Sequence, residues 1–314
     1  MKVLITDGMS KEGLSILEAA EGLELDVRKS TAKEELLEII GNYDAVVIRS
    51  ATKLTEDLID AGKNLKAVGR AGIGVDNVDV PAATKRGIVV MNTPEANAIT
   101  TAEHTITLML SLARQIPQAH SSLKEGKWER SKFKGREIHG KTFGLIGLGN
   151  IGKLVAERAL GLKLNVIAYD PFLSKEAADR LGVELVSLDD LLKRSDIITI
   201  HTPLTPETKD LLNKDSLQKT KKGVMIINCA RGGVVNENDM AEAIKSGHVG
   251  GCAFDVFVNE PPEEGNPLLA LDENVVFTPH LGASTEEAQT KVGLAIAEQI
   301  VDFLLNGVVK NAVN

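Results

Sequence analysis

Three short segments carry side chains that could do chemistry together: Asn228-Cys229-Ala230-Arg231-Gly232-Gly233, Asp255-Val256-Phe257-Val258-Asn259-Glu260-Pro261 and Thr278-Pro279-His280-Leu281-Gly282. Each places its polar residue just beyond an apolar, strand-like run. A guanidinium such as that of Arg231 grips a carboxylate through two parallel hydrogen bonds. An imidazole such as that of His280 moves a hydroxyl proton near neutral pH. A carboxylate such as that of Glu260 keeps the imidazole oriented and able to charge. Those three roles suit redox chemistry on a 2-hydroxy acid.

The hydride in such a reaction needs a carrier, and Gly147-Leu148-Gly149-Asn150-Ile151-Gly152 reads as a dinucleotide-binding loop. A glycine-rich turn alone says little. Here it follows an apolar strand, 143–146, and opens a helix from Ile151 to Leu160. A second strand then ends at Asp170, close to the roughly 20-residue spacing of the dinucleotide fingerprint. Gly147 and Gly149 let the backbone turn tightly and approach a pyrophosphate. Gly152 lets helix and strand pack closely, and the helix N-terminus offers free amides. Asp170 can accept hydrogen bonds from both adenosine ribose hydroxyls and would repel a 2′-phosphate. No arginine follows it in Pro171-Phe172-Leu173, so the cofactor expected is NAD rather than NADP.

The elements that must position these residues alternate regularly. In the first part Val3–Ile5, Ala45–Ile48, Leu65–Val68 and Ile88–Met91 read as strands, and Lys11–Ala20, Ala32–Ile40, Glu56–Ala61 and Val80–Arg86 as helices. Alternation at this spacing predicts a parallel sheet with crossover helices. Near residue 98 the texture changes. Thr100-Thr101-Ala102-Glu103 has the form of a capping box and starts a long apolar helix through Ile106, Met109, Leu110, Ala113 and Ile116. A charged, irregular arm follows, Ser121 to Gly140, with the only tryptophan, Trp128. Such an arm is either a solvated loop or a subunit contact.

From Thr142 the alternation restarts with Phe143–Ile146, Val166–Tyr169, Ile197–Ile200, Val224–Ile227, Cys252–Phe254 and Val275–Phe277, which predicts a second, larger doubly wound sheet. Ser284-Thr285-Glu286-Glu287 has the form of another capping box. It opens a last helix carrying Ala288, Val292, Ala295, Ile296, Ile300 and Leu304 on one face. No strand long enough to extend the second sheet follows it. The expected arrangement returns this helix to the first domain, which becomes discontinuous.

The chain has 314 residues, 25% charged and 43% hydrophobic, enough for two domains with separate cores. No apolar run approaches the roughly 20 residues of a membrane span, and Met1-Lys2-Val3-Leu4-Ile5-Thr6-Asp7 goes straight into a strand with no cleavable leader. Cys229 and Cys252 form neither a disulfide framework nor a metal-ligand spacing, and they fit a reducing cytoplasm. No metal is expected. The net charge of −8 argues against nucleic acid as a partner. An anionic substrate would be repelled by that overall field, so a local group of arginines must capture it.

Each candidate has a bland rival. Of the 6 histidines, His104 reads as a core or helix-face residue, His120, His139 and His248 as solvated, and His201 as a strand-end residue that lines a cleft without reacting. His280 differs by following the strand Val275–Phe277 and preceding Gly282, where backbone can approach a ligand. Glu260 could be a solvated turn residue before proline, but it follows a buried strand, and ligands collect at the carboxyl ends of parallel strands. Three such residues at equivalent strand ends, beside a dinucleotide loop, outweigh the bland readings.

These residues resemble the D-isomer-specific 2-hydroxy acid dehydrogenase family over essentially the whole chain. The most telling stretches are Val68-Gly69-Arg70-Ala71-Gly72-Ile73-Gly74-Val75-Asp76-Asn77-Val78-Asp79, Gly126-Lys127-Trp128-Glu129-Arg130, Asn228 to Gly233, and His280-Leu281-Gly282-Ala283-Ser284-Thr285-Glu286-Glu287-Ala288-Gln289. The resemblance implies an α/β protein with two doubly wound parallel-sheet domains and a cleft between them. A flavodoxin-like substrate-binding domain would comprise 1–98 plus 284–314, and a Rossmann NAD-binding domain 99–283. It implies that Arg231 binds the substrate carboxylate and carbonyl, that His280 is the acid/base and that Glu260 is paired to it. Asp255 would orient the nicotinamide amide, and Asn150, Ile151, Thr202, Pro203, Cys229 and Gly282 would line the NAD groove.

The same resemblance implies a homodimer formed through 100–140, which turns the reading of the Trp128 arm towards an interface. Within the family these stretches point to a phosphorylated substrate, D-3-phosphoglycerate, oxidised in the first step of phosphorylated serine biosynthesis. Ala71, Gly72 and Gly74 would face the substrate carboxylate. Arg49 and Arg70 would supply cations for the phosphate, with Arg130 reaching in from the partner subunit. The alternatives on the same residues are a hydroxypyruvate/glyoxylate reductase and a non-enzymatic NAD-sensing scaffold. Longer members continue into a serine-binding regulatory domain. This sequence stops at Lys310-Asn311-Ala312-Val313-Asn314, which implies a short form without it.

Overall fold

Strands flanked on both faces by helices must be apolar throughout, and the central strands here are. The computed structural model describes residues 1–314 and divides into two compact units, Met1–Ala98 with Ala283–Asn314, and Ile99–Gly282. The first stretch carries β1 (Lys2–Ile5), α1 (Lys11–Glu18), β2 (Glu24–Val27), α2 (Lys33–Ile39), β3 (Ala45–Ile48), α3 (Glu56–Ala61), β4 (Ala67–Arg70), α4 (Val80–Lys85) and β5 (Val89–Met91). Its strands pair in parallel in the order β2-β1-β3-β4-β5, the flavodoxin-like order. β1 shows the logic of two cores. Leu4 packs on one face with Leu36, Leu58 and Ala83, while Val3 and Ile5 pack on the other with Leu17. Period-2 alternation sends neighbouring side chains to opposite faces.

The second unit carries α5 (Ala98–Arg114), α6 (Ile116–Lys124), β6 (Thr142–Ile146), α7 (Asn150–Gly161), β7 (Asn165–Tyr169), α8 (Lys175–Arg180), β8 (Glu184–Leu185), α9 (Leu188–Arg194), β9 (Ile197–Ile200), α10 (Lys214–Gln218), β10 (Val224–Asn228), α11 (Glu237–Lys245), β11 (Val249–Phe254) and β12 (Val275–Phe277). All seven strands run parallel, in the order β12-β11-β10-β9-β6-β7-β8. This is the Rossmann order with one strand added, and β6 beside β9 is the switch point. Leu112, Val155 and Ala159 pack on one sheet face with Leu145 and Ile227. Leu191, Met240 and Ile244 cover the other with Ile198 and Ile226. The α/β class with two doubly wound parallel sheets, expected from the sequence, is therefore observed.

The chain ends in the first unit with α12 (Glu286–Asn306), whose Val292, Ile296 and Ile300 join the core containing Val3 and Ile5. Beyond it the tail bridges back to the sheet edge, Ala312 opposite Met91, with Val313 N donating to Val90 O at 2.9 Å.

Several local expectations need correction. α5 begins at Ala98, so Thr100 lies inside its first turn and is not the residue that starts it. The turn before it already offers the Glu95 carbonyl to Ala98 N at 3.4 Å, which starts the helix early. At α12 the cap is Thr285, extended at φ −124°, whose hydroxyl accepts from Ala288 N; it is not Ser284. The arm is irregular only after Lys124, because α6 extends through Ser121. β2 and β8 are additional to the strands expected. Both are edge strands with partly exposed, mixed sequences, and β8 has 2 residues. His248 is not simply solvated, because its Nε2 lies 2.8 Å from Leu217 O and 3.2 Å from the Thr220 hydroxyl.

Candidate active site

At the switch point of the second sheet, Gly147 adopts φ +94°, and a Cβ there would meet His201 O at 2.6 Å. A Cβ on Gly152 would meet Gly147 O at 2.3 Å, whereas around Gly149 there is nothing within 4 Å. The turn is thus closed against the protein on one side and open on the other, as a pyrophosphate requires. α7 starts here with Gly149 at its N-cap and no side chain bonded to its first amides, which leaves donors and a positive dipole end for an anion. Asn150 and Ile151 form its first turn. Asp170 follows β7, where its Oδ2 accepts from Leu148 N at 2.8 Å and its Oδ1 from Phe172 N at 2.9 Å. The carboxylate is thereby fixed beside the glycine loop. Across the switch point, His201, Thr202 and Pro203 follow β9. The Thr202 hydroxyl and His201 Nδ1 are buried without partners, and burial pushes His201 down to about 3, so it stays neutral. These residues fit a dinucleotide.

Further across the sheet lie the candidate reactive side chains, Glu260 beyond β11 and His280 beyond β12. His280 Nδ1 lies 2.6 Å from Glu260 Oε2. This bond raises the His280 pKa against the opposing effect of burial, with the charges of Glu260 and Asp255 adding to it. Burial would raise Glu260, but the bond and charge of His280 hold it below the usual carboxylate range. An ionised Glu260 only accepts, so Nδ1 carries the hydrogen and Nε2 presents its lone pair. The two side chains are 44% and 37% exposed, so their chemistry is open to a ligand.

The supports of this pair are built from backbone. Asn228 ends β10, its Oδ1 accepting from Ala230 N at 3.0 Å and its Nδ2 donating to Arg231 O at 2.9 Å, which sets the turn presenting Arg231. Gly232 is obligatory there, since a Cβ would lie 1.9 Å from Phe257 O. The Glu260 loop is pinned by Glu237, which accepts from Val258 N at 2.7 Å and from Asn266 Nδ2 at 2.6 Å. Cys229 is buried and its thiol is pushed up to about 12, so it lines the site as a neutral group.

Asp255 is 1% exposed. Its Oδ1 accepts from the Thr278 hydroxyl at 2.5 Å and Leu281 N at 2.7 Å, and its Oδ2 from Gly282 N at 2.8 Å. Burial would raise its pKa; the bonds from His104, Thr278 and Leu281 lower it instead. Asp255 therefore ties the turn that carries His280. Sequence reasoning does not find Asn228, Glu237 and His104, because nothing in their local context marks bonds to residues that are remote or set by a turn.

The first unit holds the remaining candidates. Arg49 follows β3, and Asp7, which follows β1, accepts from Arg49 N at 2.7 Å, Thr52 N at 3.1 Å and the Thr52 hydroxyl at 2.6 Å. Asn77 Nδ2 donates to the carbonyls of Arg49 and Thr52, both at 2.6 Å. The half-buried Arg49 guanidinium makes no hydrogen bond or ion pair within the chain. Arg70 ends β4 and donates from Nη1 to Ala71 O at 3.2 Å. Gly72, at φ +147°, leaves room for it, since a Cβ would lie 1.5 Å from Nη1. Gly74 lies two residues on, in a loop held by Asn92 Nδ2 donating to Ile73 O at 2.6 Å. Arg130, in the second unit's arm, is exposed and has no bond to Arg231, Glu260 or His280.

Comparison with known proteins identifies the family. Residues 106–282 match the family model described as D-isomer specific 2-hydroxyacid dehydrogenase, NAD binding domain. D-3-phosphoglycerate dehydrogenase of Archaeoglobus fulgidus is 54% identical over 314 residues, all of this chain and 59% of that protein. The chain thus spans about three fifths of the length of the curated relatives it matches. Among solved structures, the TT0316 protein of Thermus thermophilus superposes with a TM-score of 0.91 at 33% identity, with both chains fully covered. A glyoxylate reductase from Paecilomyes thermophila gives 0.89 at 30% identity, covering all of this chain and 98% of that one.

Proposed function

The chain belongs to the D-isomer specific 2-hydroxyacid dehydrogenase family, and on that premise we propose that it oxidises D-3-phosphoglycerate to 3-phosphohydroxypyruvate with NAD, the first step of phosphorylated serine biosynthesis. The observation that carries the chemistry is the 2.6 Å contact of His280 Nδ1 with Glu260, which leaves Nε2 as a base. Arg231 grips the substrate carboxylate and polarises the C2 oxygen. His280 Nε2 takes the C2 hydroxyl proton as the C2–H bond breaks with its electron pair. NAD, when bound, supplies the hydride acceptor. Gly147, Gly149, Asn150, Ile151 and Gly152 would hold its pyrophosphate and Asp170 its ribose, with Thr202, Pro203, Cys229 and Gly282 lining the groove. Asp255 would orient the nicotinamide amide. The imidazolium formed at His280 is stabilised by Glu260, and the reverse reaction returns the proton from it.

The phosphate reading is supported by the half-buried Arg49 guanidinium, which has no partner, by the adjacent strand-end Arg70, and by the name of the Archaeoglobus relative. Ala71, Gly72 and Gly74 would present backbone to the substrate carboxylate. A homodimer through α5, α6 and the following arm is part of the proposal, with Arg130 serving the partner's site. It is supported by exposed Ile99, Leu110, Ile116 and Leu123 and by Trp128, 77% exposed. No helix is long and apolar enough to cross a membrane. A cytoplasmic location belongs to the same reading, supported by two free, buried cysteines.

The likeness to a glyoxylate reductase keeps a second reading in view, a hydroxypyruvate/glyoxylate reductase using the same Arg231, Glu260 and His280. A non-enzymatic NAD sensor leaves the intact His280–Glu260 pair without a purpose. Following NADH absorbance with 3-phosphohydroxypyruvate, hydroxypyruvate and glyoxylate separates the three. The proposal expects the highest kcat/KM on the phosphorylated acid. A preference for glyoxylate would overturn it in favour of the reductase, and no turnover at all would favour the sensor.

A further inference from the structure

We propose that His104 is a positioning residue of the acid/base site, holding the His280 turn through Asp255 and Thr278; this rests on the proton-transfer role given to His280 above. His104 lies on α5, far along the sequence from the residues it meets. Its Nε2 is 3.1 Å from the Thr278 hydroxyl and 3.2 Å from Asp255 Oδ1. The hydrogen on Nε2 can be assigned from its partners. Asp255 is an ionised acceptor, and the Thr278 hydroxyl spends its proton on Asp255 at 2.5 Å. Both groups facing Nε2 are therefore acceptors, and His104 must donate, forked between them.

The turn needs such support. His280 sits at φ +55°, a left-handed conformation that a non-glycine residue keeps only when its surroundings over-determine it. The surroundings are one buried carboxylate. Asp255 receives Leu281 N and Gly282 N, and its own carbonyl accepts from His280 N at 2.9 Å. A Cβ on Gly282 would lie 3.1 Å from Asp255 Oδ2, so the turn fits tightly against it. Every other donor to that carboxylate comes from the turn itself, at Thr278, Leu281 and Gly282. His104 is the donor from a different element, and it sets the carboxylate and Thr278 in relation to the helix. Without it a buried carboxylate and a half-buried hydroxyl each lose a partner, and the turn loses its anchor to α5.

The test compares His104→Phe, which keeps a ring but donates nothing, with His104→Gln, whose amide nitrogen can donate from nearly the same place. The expected result is a fall in kcat of roughly tenfold or more for His104→Phe, and recovery of most of that loss in His104→Gln. Thr278→Val should lower kcat similarly, and the double variant should be no worse than the more damaged single one, as for two parts of one network. Hydrogen exchange at the Leu281 and Gly282 amides, faster in His104→Phe, reads the same support without turnover. Equal kcat in wild type and folded His104→Phe would overturn the inference, as would equal losses in the Phe and Gln variants or unchanged exchange at both amides. Wild type inactive on every 2-hydroxy and 2-oxo acid would overturn the enzymatic reading instead, and the exchange experiment would still decide the role of His104.

Discussion

The two sheets obey one rule and end in opposite chemistry. Each is doubly wound, and each puts its loops for a ligand at the carboxyl ends beside a switch point, β1 with β3 in the first unit and β6 with β9 in the second. In the second unit that point is open: a Cβ on Gly149 would meet nothing within 4 Å, and α7 leaves its first amides without a side-chain cap. The polar groups nearby are already bonded within the unit, His280 to Glu260 and the buried Asp255 to four donors, His104, Thr278, Leu281 and Gly282. In the first unit the switch point is filled with polar bonds from Asp7 and Asn77, which shape the 49–52 loop and leave the Arg49 cation unsatisfied. The lesson is that topology sets where a ligand goes, while the balance of charge among the loop residues sets which one. A self-compensated site suits chemistry on a bound cofactor. An uncompensated cation suits capture of an anion by a protein whose net charge is −8.

The contrast breaks hardest at His280. His280→Ala should cost kcat roughly 10²–10⁴-fold, leaving the KM for NAD and the affinity for the phosphorylated acid close to wild type; stopped-flow and steady-state kinetics measure both. A smaller effect is expected at the cofactor. Asp170→Ala should raise the KM for NAD roughly tenfold and narrow the preference over NADP, since the ribose bonds go and the repulsion of a 2′-phosphate goes with them. Unchanged constants for both cofactors would remove Asp170 from that role.

The mildest test concerns pH. Glu260 is the main cause of the raised His280 pKa, and oxidation needs the neutral imidazole, so the wild-type oxidation rate should climb as pH rises through that raised value. In Glu260→Gln the climb should move to lower pH, and reduction, which needs the imidazolium, should fade at lower pH than in wild type. Profiles that coincide would show that Glu260 does not set the titration.

Much of this was legible in the sequence, for a physical reason. Parallel strands buried on both faces are continuous apolar runs, so β3, β6, β9 and β10 stand out, and the residues just past such runs, Arg49, Arg231 and His280, are at strand ends almost by definition. The glycine loop and Asp170 follow from local spacing. What did not show was everything decided by partners remote in sequence or by edge position. β2 and β8 border solvent and lose the apolar signature. The role of Asp255 in closing the 278–282 turn, the donation by His104, and the bracing of the Arg49 loop by Asp7 and Asn77 depend on contacts between distant segments. The Thr100 motif misled because a capping box is a local pattern, and the preceding turn had already begun the helix.

The proposed function divides labour between the units, with reaction and cofactor in the second and phosphate recognition in the first. Its most direct test is the ratio of kcat/KM for 3-phosphohydroxypyruvate to that for hydroxypyruvate, measured in wild type and in Arg49→Ala. The ratio is expected to fall roughly ten- to a hundredfold in the variant, because only the phosphorylated substrate loses a charged hydrogen-bond partner. Equal losses on both substrates, leaving the ratio unchanged, would contradict it.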